Sequence, residues 1–153
     1  MSRLGDHFPE HDRQTYVESA LQPGQVVYLW CDFTRPPKDK YLLLLCVHSS
    51  APLFFVINSG IADFVQNNPA MHRCQLHLQA AQHGFLAHDS WLNCAEVIDG
   101  IRYDEVKNQL MDDTSRLRGR LDAAAIADVV HLVKQAKTIS KRHKQMIVQA
   151  LAD

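Results

Sequence analysis

The sequence predicts an α+β, strand-dominated fold: a small antiparallel barrel with C-terminal helices packed on it. Three observations carry this. Short runs rich in Val, Leu, Phe and Tyr recur between residues 25 and 93, separated by turn-forming residues. No long helical pattern intervenes, which argues against parallel βαβ units. After residue 122 the apolar periodicity becomes that of amphipathic helices. The 153 residues suit one domain, divided here into a polar arm over 1–22 and a single barrel domain over 23–153.

Within the arm, Asp12 is placed to cap a short helix carrying Tyr16, Val17 and Leu21 on one side, and Pro23-Gly24 ends it. The first strand, Gln25 to Phe33, is rich in β-branched and aromatic residues. Pro36 and Pro37 remove two backbone donors, so residues 34–39 form a stiff cationic loop. Lys40 to His48 is the second strand, Ser49-Ser50-Ala51-Pro52 a turn, and Leu53 to Asn58 the third. The second and third strands are almost continuously apolar. That pattern means burial on both faces, at the centre of a sandwich or barrel or under a helix. A long connection, Ser59 to Met71, follows. From His72 to Leu78, Cys74, Leu76 and Leu78 alternate with Arg73, Gln75 and His77, as in a half-exposed strand. A fifth strand is expected over Phe85 to Asn93, anchored by Leu86 and Trp91, and a short helix over Ile101 to Met111. Asp122 is the expected N-cap of a helix near 122–137, in which Ile126, Val129, Val130 and Val133 share a face. Ser140 caps a last helix near 140–152, with Ile147 and Leu151 on one side.

Composition bounds the function. With 46% hydrophobic residues and 16 Lys+Arg against 17 Asp+Glu, the chain is neither disordered nor a uniformly cationic nucleic-acid binder. The charge is uneven, however. Eight of the 16 basic residues lie between Thr114 and Lys144, opposed only by Asp122 and Asp128. A run of this kind is a solvated helix face or a local anion-binding surface. No apolar run approaches the roughly 18 residues of a membrane span, and the polar start of the chain does not resemble a signal peptide. The four separated cysteines read as reduced, buried thiols, so a cytoplasmic location without membrane contact is expected.

Nine histidines raise the question of metal binding, but no Cys-x-x-Cys, helical His-x-x-x-His or Glu-x-x-His occurs. Gly-x-Ser-x-Gly and phosphate-cradling glycine loops are also missing. No metal and no cofactor is therefore expected. The remaining groups are cationic or hydroxyl-bearing. Arg35, Lys38 and Lys40 surround the first strand connection, Ser59 follows the third strand, and His88-Asp89-Ser90 interrupts the fifth. As ordinary surface, these would be solvated lysines and turn residues. As a site, they would gather positive charge and hydroxyls at one rim of the barrel.

Leu21-Gln22-Pro23-Gly24-Gln25-Val26-Val27-Tyr28-Leu29-Trp30 resembles the opening strand of the MazF/PemK-like toxins of the Kid/CcdB superfamily. The two apolar strands that follow are similar, as is Gly119-Arg120-Leu121 leading into the helix with Ile126, Val129 and Val133. Phe85 to Cys94 looks like the stretch where those toxins place an acidic residue between apolar ones. The likeness covers roughly residues 21–137. It implies an SH3-like barrel, a homodimer, a cognate antitoxin protein as partner, and metal-independent cleavage of single-stranded RNA by the ribose 2′-hydroxyl. That chemistry needs a proton acceptor, a proton donor and a cation for the five-coordinate phosphorus. The family's arginine at the start of the second strand falls on or near Lys40, and its threonine after the third strand falls on Ser59. Lys40-Tyr41 stands in place of an Arg-Pro pair, and lysine lacks the two-pronged contact of a guanidinium.

Catalysis is therefore expected of Lys40 and Ser59, on which the resemblance falls, and of Arg35, a cation of the neighbouring loop. Substrate binding is assigned to Lys38, His88, Asp89, Ser90, Arg116 and Arg118. Two other readings stay open. One is a non-catalytic binding module on the toxin fold, either a gyrase-poison-like protein or a degenerate toxin. The other is a nucleic-acid binder that uses residues 116–144, with stacking on Trp30 or Tyr28.

Overall fold

The doubly apolar second and third strands set the architecture. In the computed structural model, which describes residues 9–48 and 51–152, they are the centre of a six-stranded sheet with helices on both sides. The strands are β1 (Gln25–Cys31), β2 (Lys38–His48), β3 (Ala51–Asn58), β4 (Gln75–Leu78), β5 (Ser90–Ile98) and β6 (Leu117–Arg120). The helices are α1 (Glu10–Ala20), α2 (Asp63–Gln66), α3 (Pro69–His72), α4 (Tyr103–Asp112), α5 (Ala123–Gln135) and α6 (Lys141–Ala152). Strand order is β4-β5-β3-β2-β1-β6, and every pair is antiparallel.

Alternation along each strand sorts the apolar residues into two cores. Val26, Leu43, Leu45, Phe55 and Ile57 face α5 and α6, meeting Val129, Val133, Ile147 and Leu151. Val27, Leu29, Leu42, Leu44 and Phe54 face the other way, toward Val17 of α1 and Val106 and Leu110 of α4. Phe54 and Phe55 are both fully buried, one on each side. Each such side chain contributes about 1.5–3 kcal/mol relative to leaving it exposed.

The α+β class and the antiparallel sheet agree with the sequence. Among the described residues the hydrogen-bonded ladder does not close, and β4 and β6 remain its edges. The double burial of β2 and β3 comes from helices on both faces instead. Side chains nevertheless bring the two edges together. Phe85, in the segment joining β4 to β5, lies against Gly119 of β6, where an added Cβ would come within 2.9 Å of the ring. Buried His83 of the same segment faces Asp122 at 3.7 Å, at the start of α5.

Local expectations divide in an informative way. Asp122 Oδ1 accepts from the Ala125 amide at 2.7 Å, and Ser140 Oγ from the His143 amide at 3.2 Å, so both C-terminal caps are as expected. Asp12 is not a cap, because α1 starts at Glu10 after Pro9. Tyr16 is exposed, while Val17 and Leu21 are buried against the sheet. The described part of the arm is therefore part of the core, and residues 1–8 lie outside the described residues. β5 runs from Ser90 to Ile98, not from Phe85 to Asn93, so His88 and Asp89 precede it and Ser90 is its first residue. Ala51 and Pro52 belong to β3, while the expected Ser49-Ser50 turn lies outside the described residues. Pro52 is tolerated because it pairs with Val47 on one side and lies beyond the β5 ladder on the other.

Candidate functional site

At one end of the sheet the β1–β2 connection, the end of β3 and the segment before β5 meet. Each is there for a local reason. Pro36 and Pro37 prevent β1 from running on, and the chain re-enters the sheet at Lys38. β3 ends where its apolar run gives way to Asn58 and Ser59. The β4–β5 segment is held by Phe85 on Gly119 and by Leu86, which is buried in the α5-side core.

Two grooves result, one opening on each face of the sheet. The smaller, of about 220 Å³, is lined by Lys38, Lys40, Tyr28, Tyr41, Ser59, His88 and Ser90, among others. The larger, of about 690 Å³, is lined by Arg35, Phe33, Phe64, Asn93 and Glu96 and again by Lys38, Lys40, Asn58 and Ser59. These last four form the rim the grooves share. Arg35, Lys38 and Lys40, from one short stretch, and Ser59, from the end of β3, thus border one concave surface.

Lys40 Nζ donates to Asn58 Oδ1 at 2.7 Å, across the register pair of β2 and β3. Burial, and then the nearby Lys38 charge, hold its pKa below the ordinary lysine value. Neither Arg35 nor Lys38 has an ion pair among the described residues. His88 Nδ1 lies 3.0 Å from the Asp89 carbonyl. A carbonyl only accepts, so Nδ1 carries the proton and Nε2 is the basic nitrogen of the neutral ring. Ser90 Oγ donates to the His88 carbonyl at 3.0 Å and braces the turn.

The other expected binding residues have different surroundings. The Asp89 carboxylate accepts from the Ala80 amide at 2.9 Å and faces His77 at 3.8 Å, away from both grooves. Arg116 is bonded to the Tyr28 carbonyl at 2.7 Å and to Asp39 at 2.8 Å, so its charge is already matched. Arg118 lies over the Tyr28 and Tyr41 rings, 5.2 and 5.8 Å from their centroids. The two rings are themselves cross-strand partners with centroids 4.7 Å apart. Trp30 is half-exposed but lies beside α4, where the Gln109 side chain accepts from its amide and donates to its carbonyl.

Asn58, Tyr41 and Phe64 were not among the sequence candidates. Asn58 was the one detectable in principle: a polar residue that ends a six-residue apolar run next to Ser59. All four cysteines are buried and free, and burial raises each thiol pKa, that of Cys31 to about 11. They are protonated and poorly nucleophilic. Among the described residues no three His, Cys, Asp or Glu side chains gather as a metal site, and no helix is long and apolar enough to cross a membrane. No protein-family model matches the chain, and no curated protein matches it.

Proposed function

We propose that the chain is a metal-independent endoribonuclease that cleaves single-stranded RNA at the rim between the two grooves. The observation that carries this reading is the convergence of Arg35, Lys38, Lys40 and Ser59 on one concave surface, with His88 lining the adjoining groove that shares Lys38, Lys40 and Ser59. The groups gathered there are those that attack by a 2′-hydroxyl requires.

In this mechanism His88 Nε2 takes the proton of the 2′-hydroxyl as its oxygen attacks the adjacent phosphorus. Lys40 and Lys38 face the charge that develops on the phosphorane oxygens, and Ser59 donates a hydrogen bond to one of them. The bond from phosphorus to the 5′-oxygen breaks. Lys40, whose proton is loosened by burial and by Lys38, delivers it to the departing oxygen. The products are a 2′,3′-cyclic phosphate and a 5′-hydroxyl, and no oxidant or metal enters the balance. Asn58 holds the Lys40 side chain in place. The Tyr28–Tyr41 pair, with Arg118 over it, offers a stacking and cationic surface for the adjoining nucleotide.

The reading brings with it the finer assignment of the antiparallel sheet to the SH3-like toxin barrels. It also brings a homodimer, an antitoxin partner and action in the cytoplasm. The test is incubation of the purified chain with a single-stranded RNA in excess chelator. Fragments ending in cyclic phosphate are expected, and a single 2′-deoxy substitution at the cut site should abolish that cut. Persistent cutting at the 2′-deoxy position would exclude the mechanism, and intact RNA would leave the non-catalytic binding module in its place.

A further inference from the structure

The two faces of the sheet are not equally covered. α1 and α4 close over β1, β2 and part of β3. Beyond them the same face continues across β3, β5 and β4, where Val56 pairs with Asn93 and Asn93 with Gln75. This is the floor of the larger groove, and polar amides occupy it.

The internal bonding of those amides is specific. Asn93 Oδ1 accepts from the Ala95 amide at 3.1 Å and from Gln75 Nε2 at 2.8 Å. Gln75 Nε2 also donates to the Met71 carbonyl at 3.2 Å. A backbone N–H only donates and a carbonyl only accepts, so both amide orientations are fixed by their partners. The oxygen of Asn93 and the two hydrogens of Gln75 are spent. Asn93 Nδ2 and Gln75 Oε1 have no partner among the described residues. Asn93 is more than nine-tenths buried. A fixed donor and a fixed acceptor are thus left without internal partners on two residues that line the groove. Phe33 and Phe64, 42% and 65% exposed, stand at its sides, and Arg35, Lys38 and Lys40 at its mouth.

We propose that this groove is a nucleobase subsite, which takes one unpaired base of the strand whose phosphate rests on the Lys38–Lys40 rim. The base stacks on Phe64 and Phe33 and presents its Watson–Crick edge to Asn93 Nδ2 and Gln75 Oε1. Exposed aromatic rings beside free cations match a base joined to a phosphate, whereas burial against a second copy would leave three like charges in the interface. The proposal rests on the RNA-cleaving reading for its ligand, and the test separates the two.

A uridine hexamer made throughout with 2′-O-methyl ribose cannot be cut by 2′-hydroxyl attack, and a single abasic residue is moved through its positions. One position should weaken binding by roughly tenfold or more, the effect of losing one stacked base. Phe64→Ala, an exposed change that leaves the core intact, and Asn93→Ala should each weaken the intact hexamer and erase that positional penalty, with melting temperature measured alongside. Binding with no sensitive position overturns the subsite while leaving RNA binding at the rim. Phe64→Ala that converts a dimer to a monomer with the abasic penalty intact overturns it in favour of a self-association surface. Failure of the wild-type chain to bind the hexamer overturns both readings. A sensitive position together with uncut ribose RNA supports the subsite and overturns the nuclease.

Discussion

Two parts of the chain concentrate positive charge, and the structure treats them differently. The segment 114–144 holds half of all lysines and arginines, yet its members are dispersed. Arg116 is neutralised by Asp39, Arg120 donates to the Pro23 carbonyl at 2.7 Å, and Lys144 to the Lys134 carbonyl at 3.3 Å. Lys134, Lys141 and Lys144 line a groove between α5 and α6 that shares no residue with the rim. Arg35 before β2 and Lys38 and Lys40 at its start are only three, but they border one concave surface with the Ser59 hydroxyl, and Lys38 and Lys40 also line the adjoining groove with His88. Charge density along a sequence thus says little about a site. Convergence across elements decides it, and convergence is a property of the sheet register.

The largest expected effect is on the chemical step. Lys40→Ala should lower single-turnover cleavage on the order of a hundredfold or more, the usual loss when a transition-state donor is removed. Ser59→Ala and His88→Ala should reduce the same rate, whereas Lys141→Ala should leave it unchanged. Equal losses at Lys40 and Lys141 would break the contrast between the two charge regions.

Next comes the scaffold. Gly119→Val places a side chain where Phe85 already lies, an overpacking that costs about 1–3 kcal/mol. Chemical denaturation should show that loss, and His88 resonances should shift because the Phe85 segment carries it. Arg116→Ala should cost about 1–3 kcal/mol, since it leaves Asp39 and the Tyr28 carbonyl without their donor. In this account its effect on RNA binding follows from that loss of order and not from a direct phosphate contact.

A pH profile sharpens the role of Lys40. Its pKa is depressed by burial and by Lys38, so the folded chain binds this proton less tightly than the unfolded chain does. As pH rises through the folded value the ammonium is lost, and cleavage should fall before an ordinary lysine would titrate. Folding stability moves the opposite way: it rises between the folded value and the ordinary lysine pKa, because the unfolded chain holds the extra proton there. Lys40→Arg should keep RNA binding but lose most of the cleavage rate, since guanidinium stays charged and does not give up its proton. The smallest effect is expected at Glu18–Lys107, an exposed pair at 2.7 Å that ties α1 to α4. Lys107→Ala should barely move the thermal midpoint.

What could be read in advance follows the range of the interactions involved. The caps at Asp122 and Ser140, the fourth strand, which was expected from His72 and starts at Gln75 because His72 ends α3, and the double burial of β2 and β3 are set by residues within a few positions of one another. They were legible. The open sheet was not, because strands buried on both faces look the same whether a barrel or two helical layers cover them. The start of β5 was misplaced because Phe85 and Leu86 are apolar for a different reason: they pin a loop to β6 and to the α5-side core. At the site, Arg35, Lys38, Lys40 and Ser59 were visible as chemistry-bearing residues flanking strand ends. Asn58, Tyr41 and the Gln75–Asn93 pair depend on register, since each acquires its role from a cross-strand neighbour.

The most direct measurement is the salt dependence of single-stranded RNA binding, compared between two triple variants. One removes the rim charges (Arg35→Ala, Lys38→Ala, Lys40→Ala) and the other the helical ones (Lys134→Gln, Lys141→Gln, Lys144→Gln). Each phosphate contact on a single strand contributes a slope of about 0.7 to the plot of log affinity against log salt. The rim triple should flatten that slope by about 2, and the helical triple should leave it as in the unsubstituted chain. A flattened slope in the helical triple with an unchanged one in the rim triple would contradict the account.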